Sequence, residues 1–76
     1  MQTLSQIGEK KEGIIVDIDK SMSVFFRRRL CEIGLCFGTR VKVIKISGLK
    51  KSFLISFNGL TMTIQKEHAN MIHVRQ

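Results

Sequence analysis

The sequence predicts a mainly β fold: a small barrel of about five strands with one short helix inserted after the first strand. Three observations carry that prediction. Apolar residues alternate with polar ones in short segments of the C-terminal half, the period of half-buried strands. Asn58-Gly59 separates two of these segments and is the strongest short hairpin signal, because both positions tolerate positive φ. Met22, Phe26, Leu30 and Ile33 recur at helical spacing, which confines helix to one region upstream. Short strands joined by tight turns bury their apolar faces by curling on themselves.

Taken in order, Leu4 and Ile7 are expected to tuck an N-terminal arm onto the core. Gly8 and Gly13 mark turns around the charged segment Glu9-Lys10-Lys11-Glu12. The first strand is expected from Ile14 to about Ile18, with a bulge accounting for the consecutive Ile14, Ile15 and Val16. Ser21 or Ser23 caps the helix, which runs to Glu32 or Ile33. Arg27 and Arg28 fall off its apolar face and Phe25 lies at its edge. Gly34 stands where a left-handed cap removes the penalty for a side chain, and Gly38 bends the chain into the next strand. That strand is Val41 to Ile46. Phe53, Ile55 and Phe57 share one face of the next, and Leu60, Met62 and Ile64 point inward from the one after. Gln65 to Ala69 is a single helical turn at most, and Met71 to Val74 is the last strand. Proline is absent, so glycine supplies the punctuation.

Seventy-six residues are expected to form one small domain spanning 1–76. Apolar residues make up 43% of the chain, enough for a packed core. No apolar run reaches the length of a bilayer span, and Met1 to Gln6 lacks the pattern of a secretory signal. A cytoplasmic protein is therefore expected. The two cysteines are read as reduced thiols rather than a disulfide framework. The net charge of +7 draws the chain toward anionic surfaces: lipid, nucleic acid or an acidic partner.

The run Arg29 to Val41, R-L-x-E-I-G-L-x-x-G-T-x-V, resembles the ferrous iron transport protein A (FeoA) family. The likeness extends to Gly13–Ile18 and to the stretch Gly59 to Val74, with Ala69 in a charged turn before Ile72 and Val74. Three places depart from the family pattern. Phe37 stands where proline is usual, the loop Ser47 to Ser52 lacks a proline and an acidic residue, and Thr63-Ile64-Gln65 replaces a more typical Ala-Leu-Arg. The resemblance implies an SH3-like barrel and a part in bacterial ferrous iron uptake. It also implies a partner, the cytosolic part of the membrane iron transporter FeoB, which carries a G-protein domain. The basic surface would suit a peripheral position at the inner, anionic face of the membrane.

Enzyme chemistry finds little support. There is no phosphate-binding glycine loop, and Asp17 and Asp19 read as a solvated pair. A barrel this small has no interior for a substrate. No cofactor is expected. Cys31, Cys36, His68 and His73 are the only soft metal-ligand candidates. Each pair is five residues apart, wider than a structural zinc site uses, so no metal is expected. Phe25, Arg29 and Phe37 are the partner-binding candidates. Rings beside an arginine at the helix–turn corner have the composition of an interaction hot spot. The alternative is a basic barrel binding RNA or another nucleic acid, which would need exposed rings next to the lysines and arginines. A regulatory domain like that of iron-dependent repressors is weaker, because no DNA-reading helix pair accompanies the barrel.

Overall fold

The computed structural model describes residues 2–76. Its elements are β1 (Gln2–Thr3), a 3-10 turn (Leu4–Gln6), β2 (Glu12–Ile18), α1 (Val24–Glu32), β3 (Arg40–Ser47), β4 (Ser52–Phe57), β5 (Leu60–Gln65), α2 (Lys66–Ala69) and β6 (Ile72–Arg75). The strands form one antiparallel sheet in the order β1-β6-β2-β3-β4-β5. The expected mainly β, SH3-like architecture is present, with the helix after the first long strand. The sixth strand is β1, two residues that pair with β6.

Two bulges let the sheet curl. In β2 the register shifts between Ile15 and Asp17, so Val16 is the extra residue that the apolar triplet foretold. In β3 the shift lies between Val43 and Lys45. The curl gathers Ile15, Val41, Val43, Phe53, Ile55, Phe57, Ile64, Ile72 and Val74 into one core. Leu4 and Ile7 of the N-terminal arm are buried there as expected. The arm is fastened by the Thr3 N–H donating to Gln6 Oε1 at 2.9 Å and by a Ser5 to Asn70 side-chain bond at the end of α2. No polar or charged residue is buried among the described residues.

The β4–β5 turn is the two-residue hairpin that the sequence announces. Asn58 and Gly59 have φ of 51° and 78°, and Phe57 pairs with Leu60. Both positive values match the right-handed strand twist.

Two side chains expected in the core are outside it. Ile33 is 45% exposed and Leu60 is 50% exposed. The helix ends at Glu32, so Ile33 sits in the cap with φ −90° and ψ 1°, where helical spacing no longer aims side chains. Leu35, fully buried two residues later, takes the place assigned to Ile33. Leu60 is the first residue of β5, directly after the Asn58-Gly59 turn, and lies beyond the core that buries Ile64 on the same face of the strand.

Candidate functional site

The candidate site is the corner where α1 ends and β3 begins. Ser23 opens the helix, its Oγ accepting the Phe26 N–H at 3.1 Å. This satisfies one of the orphan donors of the first turn. The helix closes with paired bonds, Leu35 N–H to Leu30 O at 2.9 Å and Gly34 N–H to Cys31 O at 3.0 Å. That is the Schellman arrangement, completed by burial of both Leu30 and Leu35. Gly34 holds φ at 101°. A Cβ there would lie 2.8 Å from Asn58 Nδ2, so the β4–β5 turn abuts the helix cap. Ile33 directly precedes Gly34 and Leu60 follows the Asn58-Gly59 turn, so the two misplaced apolar residues flank this one contact.

A second turn follows. The Thr39 N–H donates to Cys36 O at 3.0 Å and Gly38 has φ 88°. These are the features of a type II turn with Phe37 at its first central position, where proline is favoured. The turn is tied to β2 by Gly38 N–H to Ile15 O at 2.7 Å and Ile15 N–H to Thr39 O at 2.9 Å. The Thr39 hydroxyl donates to Gly34 O at 2.7 Å. The Phe37 backbone is thus fixed while its side chain, 78% exposed, is not packed.

Of the three partner-binding candidates, the structure brings two into contact. The Arg29 guanidinium carbon lies 5.5 Å from the centroid of the Phe25 ring, a cation–π contact one helical turn apart. Phe25 is 70% exposed. Phe37 projects from the adjoining turn on its own.

The soft-ligand candidates separate into two places. Cys31, exposed, and Cys36, half-buried, are free thiols. Desolvation raises the Cys31 thiol above its ordinary pKa, and a hydrogen bond with Cys36 adds to the effect. The Cys36 thiol also approaches Gly34 O at 3.9 Å. His68 is elsewhere, half-buried with its ring 4.2 Å from that of Phe26. His73 points from β6 to Asp19, 3.9 Å away. Asp19 is held below its ordinary pKa, first by the Ser21 N–H at 2.9 Å and to a lesser degree by His73. Among the described residues no three His, Cys, Asp or Glu side chains could together hold a metal ion.

Three surface clefts, of about 350, 310 and 520 Å³, are lined by mixed polar, charged and apolar residues. None brings together two carboxylates, or includes a histidine or cysteine. For nucleic acid the rings are few: Phe53 and Phe57 are buried and Phe26 is half-buried. Base stacking is left with Phe25 and Phe37. No helix among the described residues is long and apolar enough to cross a membrane.

A curled antiparallel sheet with a capped helix after its first long strand defines an SH3-like module. The model of the FeoA domain matches residues 2–76, and the chain belongs to this family, which is associated with ferrous iron uptake. The crystal structure of an iron uptake regulatory protein, FeoA, is 30% identical, with a TM-score of 0.79 over 97% of this chain and 93% of that one. FeoA of Chlorobium tepidum is 24% identical, with a TM-score of 0.88 over 97% of this chain and 69% of that one. FeoA of Stenotrophomonas maltophilia, solved with zinc and described as a procaryotic SH3 domain protein and a candidate ferrous iron transport activating factor, is 17% identical. Its TM-score is 0.81 over 97% of this chain and 89% of that one. No curated protein matches the sequence.

Proposed function

We propose that this protein is a small accessory or regulatory protein of ferrous iron uptake that acts by binding the cytosolic part of the FeoB transporter. In this reading it works in the cytoplasm, with its basic surface toward the anionic inner face of the membrane. The observation that carries the proposal is the corner of Phe25, Arg29 and Phe37. Two rings are 70% and 78% exposed, and Arg29 is stacked on one of them, Phe25. A chain that exposes rings on a backbone so firmly fixed presents an anchor at low ordering cost. Membership of the FeoA family supports the choice of partner.

The turn supplies a clean test. Phe37 occupies the position where a type II turn accepts proline, and its N–H donates to no backbone acceptor. Phe37→Pro therefore removes the ring and keeps the turn. Its melting temperature is expected to be equal or higher, because proline restricts the unfolded chain. Binding to the isolated cytosolic part of FeoB, measured by calorimetry, is expected to weaken by about tenfold or more, the loss of a hot-spot ring. Unchanged affinity in a folded Phe37→Pro variant would remove the corner as the docking site.

A further inference from the structure

The free edge of the sheet carries information that the helix corner does not. β5 pairs with β4 on one side only. Its outward backbone groups can be identified from the register. A two-residue loop makes Phe57 and Leu60 a hydrogen-bonded pair, and alternation makes Ile55–Met62 and Phe53–Ile64 the next such pairs. The Lys66 N–H to Lys51 O bond at 2.9 Å continues the same phase. Leu60, Met62 and Ile64 therefore spend their backbone groups on β4. The N–H and C=O of Thr61 and Thr63 and the N–H of Gln65 point to the open side, the Gln65 C=O being the first acceptor of α2, and all three residues are exposed.

Proteins usually blunt such an edge with charge, proline, a bulge or a very short strand. The opposite edge, β1, is two residues long. β5 has none of these devices. Leu60-Thr61-Met62-Thr63-Ile64-Gln65 contains no charge and no proline, and its pairing with β4 is continuous. This uncharged strand lies in a chain of net charge +7.

We propose that β5 docks on the β5 of a second copy of this chain, antiparallel about a two-fold axis at Thr63, joining the two sheets. The register is self-complementary. Thr63 faces its own copy, and Thr61 faces Gln65 of the other strand. The two Thr63 residues then exchange both of their outward backbone bonds, and each Gln65 N–H donates to the Thr61 C=O of the other strand. Met62 comes opposite Ile64 on one face, and threonine packs on threonine on the other, a favourable β-branched pairing. No like charges meet within the strand, so two such basic molecules can approach along β5 without placing charge against charge at the unpaired backbone. The contact spans about 20 Å of strand, so the association is weak and depends on concentration. It uses a different surface from the transporter reading and stands or falls separately.

Sedimentation of the intact protein over a concentration series tests the proposal. The expected result is a monomer–dimer equilibrium that tightens between about 0.05 and 0.5 M salt, because added ions screen the mutual repulsion and the contact itself has no charge to lose. Amide exchange at Thr63 and Gln65 should slow as the dimer fills. Thr63→Pro removes only an outward donor, since Thr63 sits opposite Leu54 in a non-hydrogen-bonded pair and its N–H makes no bond to β4. It should weaken association by about tenfold or more. Thr63→Lys and Thr63→Glu keep the backbone and place like charges opposite each other at the axis. Both should weaken the dimer, although Glu lowers the net positive charge. Phe37→Pro should leave it intact. A protein that stays monomeric up to about 1 mM, a dimer untouched by the Thr63 variants, or one strengthened by Thr63→Glu would overturn the proposal.

Discussion

Gly34→Ala should be among the most damaging single changes outside the core, for two separable reasons. The first is conformational. Gly34 holds φ at 101°, and an L-residue forced to positive φ loses about 1–2 kcal/mol. The second is steric. The added methyl would come within 2.8 Å of Asn58 Nδ2, closer than side chains pack. Asn58 must swing away, at about 0.5–1.5 kcal/mol for an off-rotamer side chain. The sum is about 1.5–3.5 kcal/mol. A domain of this size is stable by roughly 4–11 kcal/mol, and a loss near 2.5 kcal/mol lowers Tm by about 10–20 °C. Gly38 and Gly59 provide the control. Both have positive φ, 88° and 78°, but a Cβ at either meets nothing within 4 Å. Gly38→Ala and Gly59→Ala should cost the conformational part alone. Removing the obstacle with Asn58→Gly, acceptable at φ 51°, should return the steric part to Gly34→Ala, a coupling of about 0.5–1.5 kcal/mol in a double-mutant cycle. Urea denaturation of the set reads all of these terms. If Gly34→Ala costs no more than Gly59→Ala, and Asn58→Gly restores nothing, the helix cap and the hairpin turn are not in contact and the account of the corner is wrong.

Three further outcomes are expected. Gly59→Val puts a β-branched residue at φ 78° in the hairpin turn and should destabilise by about 1–3 kcal/mol; an unmoved denaturation midpoint would place the turn elsewhere. Treatment with a chelator should leave circular dichroism and Tm unchanged, since apolar strands supply the core; collapse on chelation would assign a folding metal to the cysteines or histidines. Asp19 has its folded pKa lowered below the ordinary 3.8 by the Ser21 N–H, so its contribution is full above about pH 5 and fades as pH falls through the folded value. The stability gap between the protein and Asp19→Ala should therefore be level near neutral pH and close in acid as the folded carboxylate is protonated; a gap that widens in acid would reverse the sign.

The sequence was legible wherever backbone conformation alone decides. Asn58-Gly59, Gly34 and Gly38 are read correctly because positive φ is a local demand. The bulge at Val16 follows from three apolar residues where alternation allows two. Ile33 failed because helical periodicity was extended past the end of α1, and Leu60 because alternation was trusted at the first residue of β5, directly after the turn. Spacing says which way a side chain points on an ideal helix or strand, not whether another element covers it. The same limit hid the contact of His68 with Phe26 and that of His73 with Asp19. Both join residues far apart in the chain, and no motif spacing encodes them. That β5 is an edge was also invisible, because strand order is a property of the whole sheet.

Phe37 is where local preference and the chain disagree. The turn from Cys36 to Thr39 has the geometry that favours proline at its first central position. A phenylalanine there is less restricting in the unfolded state and, at 78% exposure, adds little burial in the folded one. Neither the turn nor the core therefore accounts for the ring. Phe25 is similar: it spends one helical position in water, held against Arg29 rather than against the sheet. Local inconsistency without a stabilising return is what functional positions look like in an otherwise consistent sequence. Here one such position lies in the first turn of α1 and the other in the turn that follows its last, on a backbone fixed by two caps and a pair of hydrogen bonds to β2. The fold can dispense with both rings, and that dispensability makes their effect on partner binding measurable apart from stability.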